Sequence, residues 1–141
     1  MKRPPDKVKL YGYVKAFFFR FPFVISKEGN EEVIKTPKNL ITFYGSLLCV
    51  NDFCMDFPFS PSQVIYAYFP GNYRLVMCGE YWVYQSDRGV KLFLKEGDIK
   101  KVVYKEIEIL YGSRTPYGYF REVKVKFEDK ELRIYVEGFM L

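Results

Sequence analysis

The chain has 141 residues, of which 49% are hydrophobic and 20% aromatic, and its formal net charge is +5. This length and apolar content suit one hydrophobic core, so we expect residues 1–141 to form a single domain. The sequence has no histidine and only three cysteines at irregular spacing, which excludes the usual zinc and iron–sulfur ligand sets and predicts no metal or cofactor.

The N-terminal residues lead directly into an alternating strand pattern, which does not resemble a signal peptide. The apolar runs are interrupted by Arg20 or Pro22 before they could span a membrane. We therefore expect a cytoplasmic protein that does not enter a membrane. Asparagine and glutamine are scarce while lysine, glutamate and tyrosine are plentiful, a bias typical of thermophilic organisms, in which intracellular disulfides also occur.

The first predicted strand carries the clearest functional signal. A period of two from residue 8 to residue 16 sends the apolar side chains to one side of the strand. The side chains on the other side are Lys9, Tyr11, Tyr13 and Lys15. Lysines hold phosphates and rings stack on bases, so this face predicts binding of single-stranded nucleic acid. The alternative is an ordinary solvated strand face.

Turn signals about every ten residues between β-rich runs predict a mainly β, antiparallel fold. The predicted strands are 8–19, 23–26, 33–35, 40–50, 53–58, 73–85, 89–96, 102–111, 120–128 and 131–138. One short helix is predicted to begin at Ser60, because Ser60 and Gln63 form a capping box around Pro61. The 97–104 stretch could open another helix, although a strand is favoured.

The hairpin at 80–95 predicts a second site. A four-residue loop, 86–89, would pair Val83 with Leu92 on the buried face. The exposed face would then carry Trp82, Tyr84, Lys91 and Phe93. Such a patch is a platform for stacking bases. Alternatively, the strands after residue 97 cover these rings as part of a second core.

Two later segments carry charge and rings. The loop 111–119 contains Arg114 and Tyr117 but no acid, a composition suited to clamping a nucleic-acid strand, or else to a plain connection with its tyrosines packed on the rim. The last hairpin, 120–138, is not a predicted site. One face carries three cations and four acids, so cross-strand pairing accounts for its charges without a ligand; these residues are Lys124, Lys126, Arg133, Glu122, Glu128, Glu131 and Glu137.

The order of elements resembles the OB-fold, a small Greek-key barrel. The resemblance rests on Gly12 in the first strand, the helix at Ser60 and Gly79 before a hairpin, and it covers about residues 8–96. It implies an antiparallel OB-like barrel with one short capping helix and a groove for single-stranded DNA or RNA. Residues 97–141 would add an extension of about three strands.

Together these features predict non-enzymatic binding of single-stranded DNA or RNA. The chain lacks histidine and the phosphate-binding and nucleophile-elbow motifs of common enzymes, although a carboxylate-only hydrolase stays open. The alternative function is a protein interaction module or accessory subunit that uses exposed rings and a sheet edge to dock a partner.

Overall fold

The structure is a computed structural model that describes residues 3–16 and 19–141. Its strands are β1 (Lys7–Ala16), β2 (Phe19–Glu28), β3 (Glu31–Lys35), β4 (Ile41–Tyr44), β5 (Leu47–Val50), β6 (Phe53–Asp56), β7 (Tyr73–Met77), β8 (Trp82–Ser86), β9 (Lys91–Lys95), β10 (Asp98–Tyr104), β11 (Ile107–Tyr111), β12 (Glu122–Phe127) and β13 (Lys130–Met140). One α-helix, α1 (Pro61–Tyr66), and a 3-10 turn at Pro37–Asn39 complete the described elements. The mainly β prediction is confirmed.

The strands form two antiparallel sheets. Ten of them follow the order β3-β2-β1-β13-β12-β11-β10-β9-β8-β7, and β4, β5 and β6 form a separate three-stranded sheet. The large sheet is open, with β3 and β7 at its ends, so the OB-like barrel is not confirmed. The strands after residue 97 lie between β1 and β9, in the middle of this order, and are not a peripheral extension.

Several predicted strands are in fact hairpins. The predicted strand 40–50 reverses at Gly45, whose φ is 63°, and the predicted strand 102–111 reverses at Lys105, whose φ is 53°. The predicted strand 73–85 is interrupted at 78–81. The predicted strand 8–19 includes residues 17–18, which lie outside the described residues. The 97–104 stretch contains β10 and is extended, as favoured.

The predicted capping box at the start of α1 is confirmed. The Ser60 hydroxyl accepts a hydrogen bond from the Gln63 amide at 3.3 Å, and the Gln63 side chain accepts one from the Ser60 amide at 2.9 Å. Glu32 holds Ser62 within the first turn of the helix, because it accepts hydrogen bonds from the Ser62 amide and hydroxyl. The helix ends at Ala67, whose backbone is left-handed.

The core lies on one face of the ten-stranded sheet. Inward-facing side chains of β1 and β2, including Leu10 and Ile25, are almost fully buried, and a second cluster lies under β9 to β12 around Val102 and Ile109. The small sheet and α1 pack over this inner face. The opposite face, called the outer face below, carries the side chains at the alternate positions of each strand.

Candidate nucleic-acid interface

The outward direction of the first-strand tyrosines is confirmed. Leu10 and Val14 are 0% and 1% exposed, whereas Tyr11 is 41% exposed and Tyr13 is half-buried. Gly12 lies between the tyrosines at a β-bulge where β13 comes very close. A side chain here has no space, because a Cβ at Gly12 would lie 1.9 Å from the Tyr135 carbonyl oxygen.

A row of cations crosses four neighbouring strands on the outer face. Arg20 on β2 lies opposite Lys15 on β1, Lys15 lies opposite Arg133 on β13, and Arg133 lies opposite Lys124 on β12. We call Arg20, Lys15, Arg133 and Lys124 the cation row. Like charges directly opposite each other destabilise a sheet, so this arrangement works against folding.

In the adjacent row of the sheet, a cation lies opposite acids. Lys126 on β12 lies between Glu131 on β13 and Glu108 on β11, so its charge is compensated on both sides. Glu131 also pairs with Arg133 at 3.0 Å, and that hydrogen bond lowers the pKa of the Glu131 carboxyl. Glu131 compensates the charge of Arg133 within the cation row. The row as a whole therefore keeps an excess of positive charge.

Rings lie beside the cation row. Tyr13 stacks on Tyr135 with ring centroids 4.8 Å apart, and the Arg20 guanidinium lies 3.8 Å from the Tyr13 centroid. Tyr135 and Arg20 therefore already contact the Tyr13 ring. Lys15 approaches the Tyr135 ring at 5.6 Å. These contacts hold the cations against rings and leave little of Tyr13 for a stacked base.

Tyr11 is more accessible than Tyr13. Its ring lies across Gly138 on β13, where an added Cβ would meet the Tyr11 hydroxyl oxygen and its ring carbons. A glycine under an aromatic ring lets the ring lie close to the sheet. The side of Tyr11 that is turned away from Gly138 is thus the surface on which a base could stack.

Lys91 and Phe93 lie on the same outer face, at a distance from β1. The row continues from Lys124 through Leu110 on β11 and Lys101 on β10 to Phe93 on β9. The Lys101 ammonium lies 4.4 Å from the centroid of Phe93. Five strand-to-strand steps separate β1 from β9, which is about 24 Å along the sheet.

The predicted register of the 80–95 hairpin is wrong by one residue. Trp82 lies opposite Leu94 and Tyr84 opposite Leu92, so both rings are on the inner face, away from Lys91 and Phe93. The cause is a three-residue turn, in which the Ser86 hydroxyl accepts hydrogen bonds from the amides of Arg88 and Val90. The φ of Gly89 is 84°, as this turn requires. The predicted platform is therefore divided between two faces.

Trp82 and Tyr84 have separate surroundings on the inner face. Trp82 is 52% exposed, so the strands after residue 97 do not enclose it. Tyr84 lines a hollow of about 550 Å³ together with Tyr73, Leu92 and Leu94. The alternative, in which later strands bury the rings of Trp82, Tyr84 and Phe93, does not apply to Trp82, which is exposed, whereas Tyr84 and Phe93 are half-buried.

Arg114 is fully engaged within the protein. Its guanidinium donates to Asp98 at 2.9 and 3.2 Å, to the Tyr66 carbonyl at 3.1 Å and to the Gly118 carbonyl at 2.6 Å. Burial alone raises the pKa of Asp98, but the hydrogen bonds from Arg114 and the Ile99 amide outweigh it, and the pKa is lowered. These bonds hold the loop to the sheet. Tyr117 is 58% exposed beside Phe139, apart from the cation row.

Sequence reasoning missed most of the cation row. Lys124 and Arg133 were set aside because acids balance the charge of the last hairpin, but Glu128 lies in the turn and Glu137 lies at the bulge opposite Gly12. These acids therefore do not sit in the cross-strand row with Lys124. A comparison of directly opposite residues, rather than of a whole face, could have shown this within the hairpin.

No group of histidine, cysteine or acidic side chains suited to a metal ion occurs among residues 3–16 and 19–141. In the same residues, no helix is long and apolar enough to cross a membrane. No known family model and no curated protein matches the chain. The geometry of the outer face is therefore the main guide to function.

Proposed function

We propose that the protein binds single-stranded DNA or RNA on its outer face, without catalysis. The observation that supports this most is the cation row, in which four cations lie directly opposite one another on four successive strands. A row of phosphates would neutralise the repulsion between these side chains and release counterions. The repulsion between cations in the free protein would thus be relieved when nucleic acid binds.

Rings next to the row favour a single strand over a duplex. Tyr11 offers one side of its ring, and Phe93 lies at the far end of the extended row. Unpaired bases can stack on such rings, whereas the bases of a duplex are already stacked on each other. Lys9 and Lys91 extend the positive charge beyond the row on β1 and β9. The proposed interface thus contains the cation row together with Lys9, Tyr11, Tyr13, Lys91 and Phe93.

The test compares two lysines of the same strand. Lys124→Gln removes a charge from the cation row, and Lys126→Gln removes one that Glu131 and Glu108 compensate. Binding of a labelled single-stranded oligonucleotide of about 16 nucleotides is followed by fluorescence anisotropy. The measurement is repeated between about 50 and 200 mM salt, with DNA and with RNA.

We expect wild-type affinity to fall steeply with salt. Lys124→Gln should reduce the slope of log affinity against log salt by about 0.7, the value for one phosphate on a single strand. Lys126→Gln should leave that slope nearly unchanged. Equal slopes for the two variants, or wild-type binding that does not depend on salt, would contradict the proposal.

A protein interaction module is the second candidate, and the free edge of β7 favours it. Leu75, Val76 and Met77 are 43%, 45% and 62% exposed on this edge strand. At the other end of the sheet, β3 carries Glu31 and Lys35, charges that protect an edge from pairing. A partner strand could add to β7. Binding to such a partner would be insensitive to salt and would be lost on Met77→Lys.

A further inference from the structure

An apolar space of about 70 Å³ lies between the two sheets. The large sheet contributes Val14, Ile107 and Ile134, and the small sheet contributes Phe43, Leu48 and Met55. Helix α1 closes another side with Val64 and Ile65. Each of the side chains that line this space is apolar, so it differs in chemistry from every surface of the proposed nucleic-acid interface.

Water is a poor occupant of this space. A buried water needs two to four polar partners, and the lining side chains provide none. Apolar cavities large enough for several atoms stay dry and accept apolar molecules of matching size. The chemistry of the lining therefore selects an aliphatic occupant that carries no hydrogen-bonding group.

The small sheet, called the cover below, closes one side of this space. Its strands do not pair with the large sheet in the described part of the chain, so side-chain packing and an ion pair between Asp56 and Lys105 at 3.9 Å hold the two together. A disulfide between Cys49 and Cys54 ties β5 to β6. A small molecule would enter by separating the cover from the large sheet, a change that breaks no strand pairing.

We propose that the space between the sheets is a binding site for a small aliphatic hydrocarbon or the end of an aliphatic chain. This site is independent of the cation row, because it lies on the opposite face of the large sheet. The occupant contacts methyl groups from both sheets at once. Binding therefore adds apolar contacts between the cover and the large sheet.

The test uses propane gas as the probe and methyl chemical shifts in NMR spectra of the full chain. We expect saturable shifts of the Ile134 and Leu48 methyl groups as propane pressure rises, and none with nitrogen at equal pressure. Val14→Ile adds a methylene to the space and should weaken propane binding at least threefold. Val136→Ile is the matched control, because Val136 is buried on β13 and does not line the space.

Three results would overturn the proposal: no saturable shift in the wild-type protein, equal shifts with nitrogen, or equal weakening by Val14→Ile and Val136→Ile. The wild-type titration decides the question even where Val14→Ile does not fold. Nucleic-acid binding is measured separately, so its outcome leaves this test unaffected.

Discussion

Lys124 and Arg133 lie directly opposite each other on β12 and β13, two cations in a position where opposite charges would stabilise the sheet. Two residues further along β12, Lys126 faces Glu131. The same hairpin thus contains one unfavourable and one favourable charge pair. The first pair disfavours folding but offers two cations to a bound phosphate chain, whereas the second pair favours folding.

The first prediction is that Lys124→Gln stabilises the protein in the absence of nucleic acid. Removing one of two opposed cations should raise the free energy of unfolding by about 0.2–1 kcal/mol at low salt. Lys126→Gln should lower it by a similar amount, since it removes a cation that lies opposite Glu131 and Glu108. Urea denaturation at low and high salt measures both, and salt should reduce both effects. A loss of stability in Lys124→Gln equal to that in Lys126→Gln would refute the repulsion.

The second prediction concerns Gly12. Its Cβ would lie 1.9 Å from the Tyr135 carbonyl oxygen, which is backbone and cannot rotate away. Gly12→Ala should therefore lower the free energy of unfolding by about 3 kcal/mol or more, because the bulge must open. Gly79→Ala is the control, since nothing lies within 4 Å of its Cβ position and its φ is not positive. Thermal unfolding of the two variants makes the comparison, and similar melting temperatures would show that the close approach is absent.

The third prediction compares two buried phenols. The Tyr111 hydroxyl donates a hydrogen bond to the Val64 carbonyl in α1 at 2.5 Å, while the Tyr73 hydroxyl is buried without a partner among the described residues. Burial raises the pKa of Tyr73 to about 12, with Arg88 acting in the opposite direction. Tyr111→Phe should cost about 0.5–1.5 kcal/mol, because one hydrogen bond between the sheet and α1 is lost while the Val64 carbonyl keeps the Ala67 amide as a donor.

Tyr73→Phe should leave the stability unchanged or raise it by up to about 1 kcal/mol, since it removes an unpaired polar group. Chemical denaturation of both phenylalanine variants supplies the data. The interpretation fails if Tyr73→Phe is as destabilising as Tyr111→Phe.

The fourth prediction is a pH dependence at Asp98. Its pKa is lowered in the folded protein, so its ion pair with Arg114 contributes stability above the unfolded pKa of about 3.9. That contribution is lost as pH falls through the lower, folded pKa. Asp98→Asn should cost about 1–2 kcal/mol at neutral pH, a value reduced for the partial exposure of the carboxylate.

The difference in stability between wild type and Asp98→Asn should shrink as the pH is lowered from about 5 to 2. Urea denaturation of both proteins over this pH range measures the difference. A difference that stays constant with pH would show that the lost stability is not electrostatic.

Local features of the fold were predictable because a few neighbouring residues determine them. The capping box needs only Ser60 and Gln63, and the outward direction of Tyr11 follows from its position beside Leu10. Both are confirmed. The hairpin register was not predictable from side-chain pairing alone, because the Ser86 hydroxyl bonds to two backbone amides and stabilises the shorter turn.

The cation row depends on contacts between distant parts of the chain. Lys15 meets Arg133 only because β13 pairs with β1, and nothing in the local pattern around Lys15 indicates that partner. Alternation shows which side chains point outward, whereas strand order decides which of them become neighbours. The sequence therefore indicated the composition of the outer face but not the row within it.

The pairing of β1 with β13 also has a consequence for how the protein folds. Lys9 lies opposite Met140, so strands from near both ends of the sequence meet in the interior of the sheet. Contacts between residues so far apart cost loop entropy before they contribute stability, and they slow folding. During synthesis the β1–β2 hairpin must wait, with one edge unpaired, until β13 has been made. The step that joins these two strands therefore closes the longest loop in the large sheet.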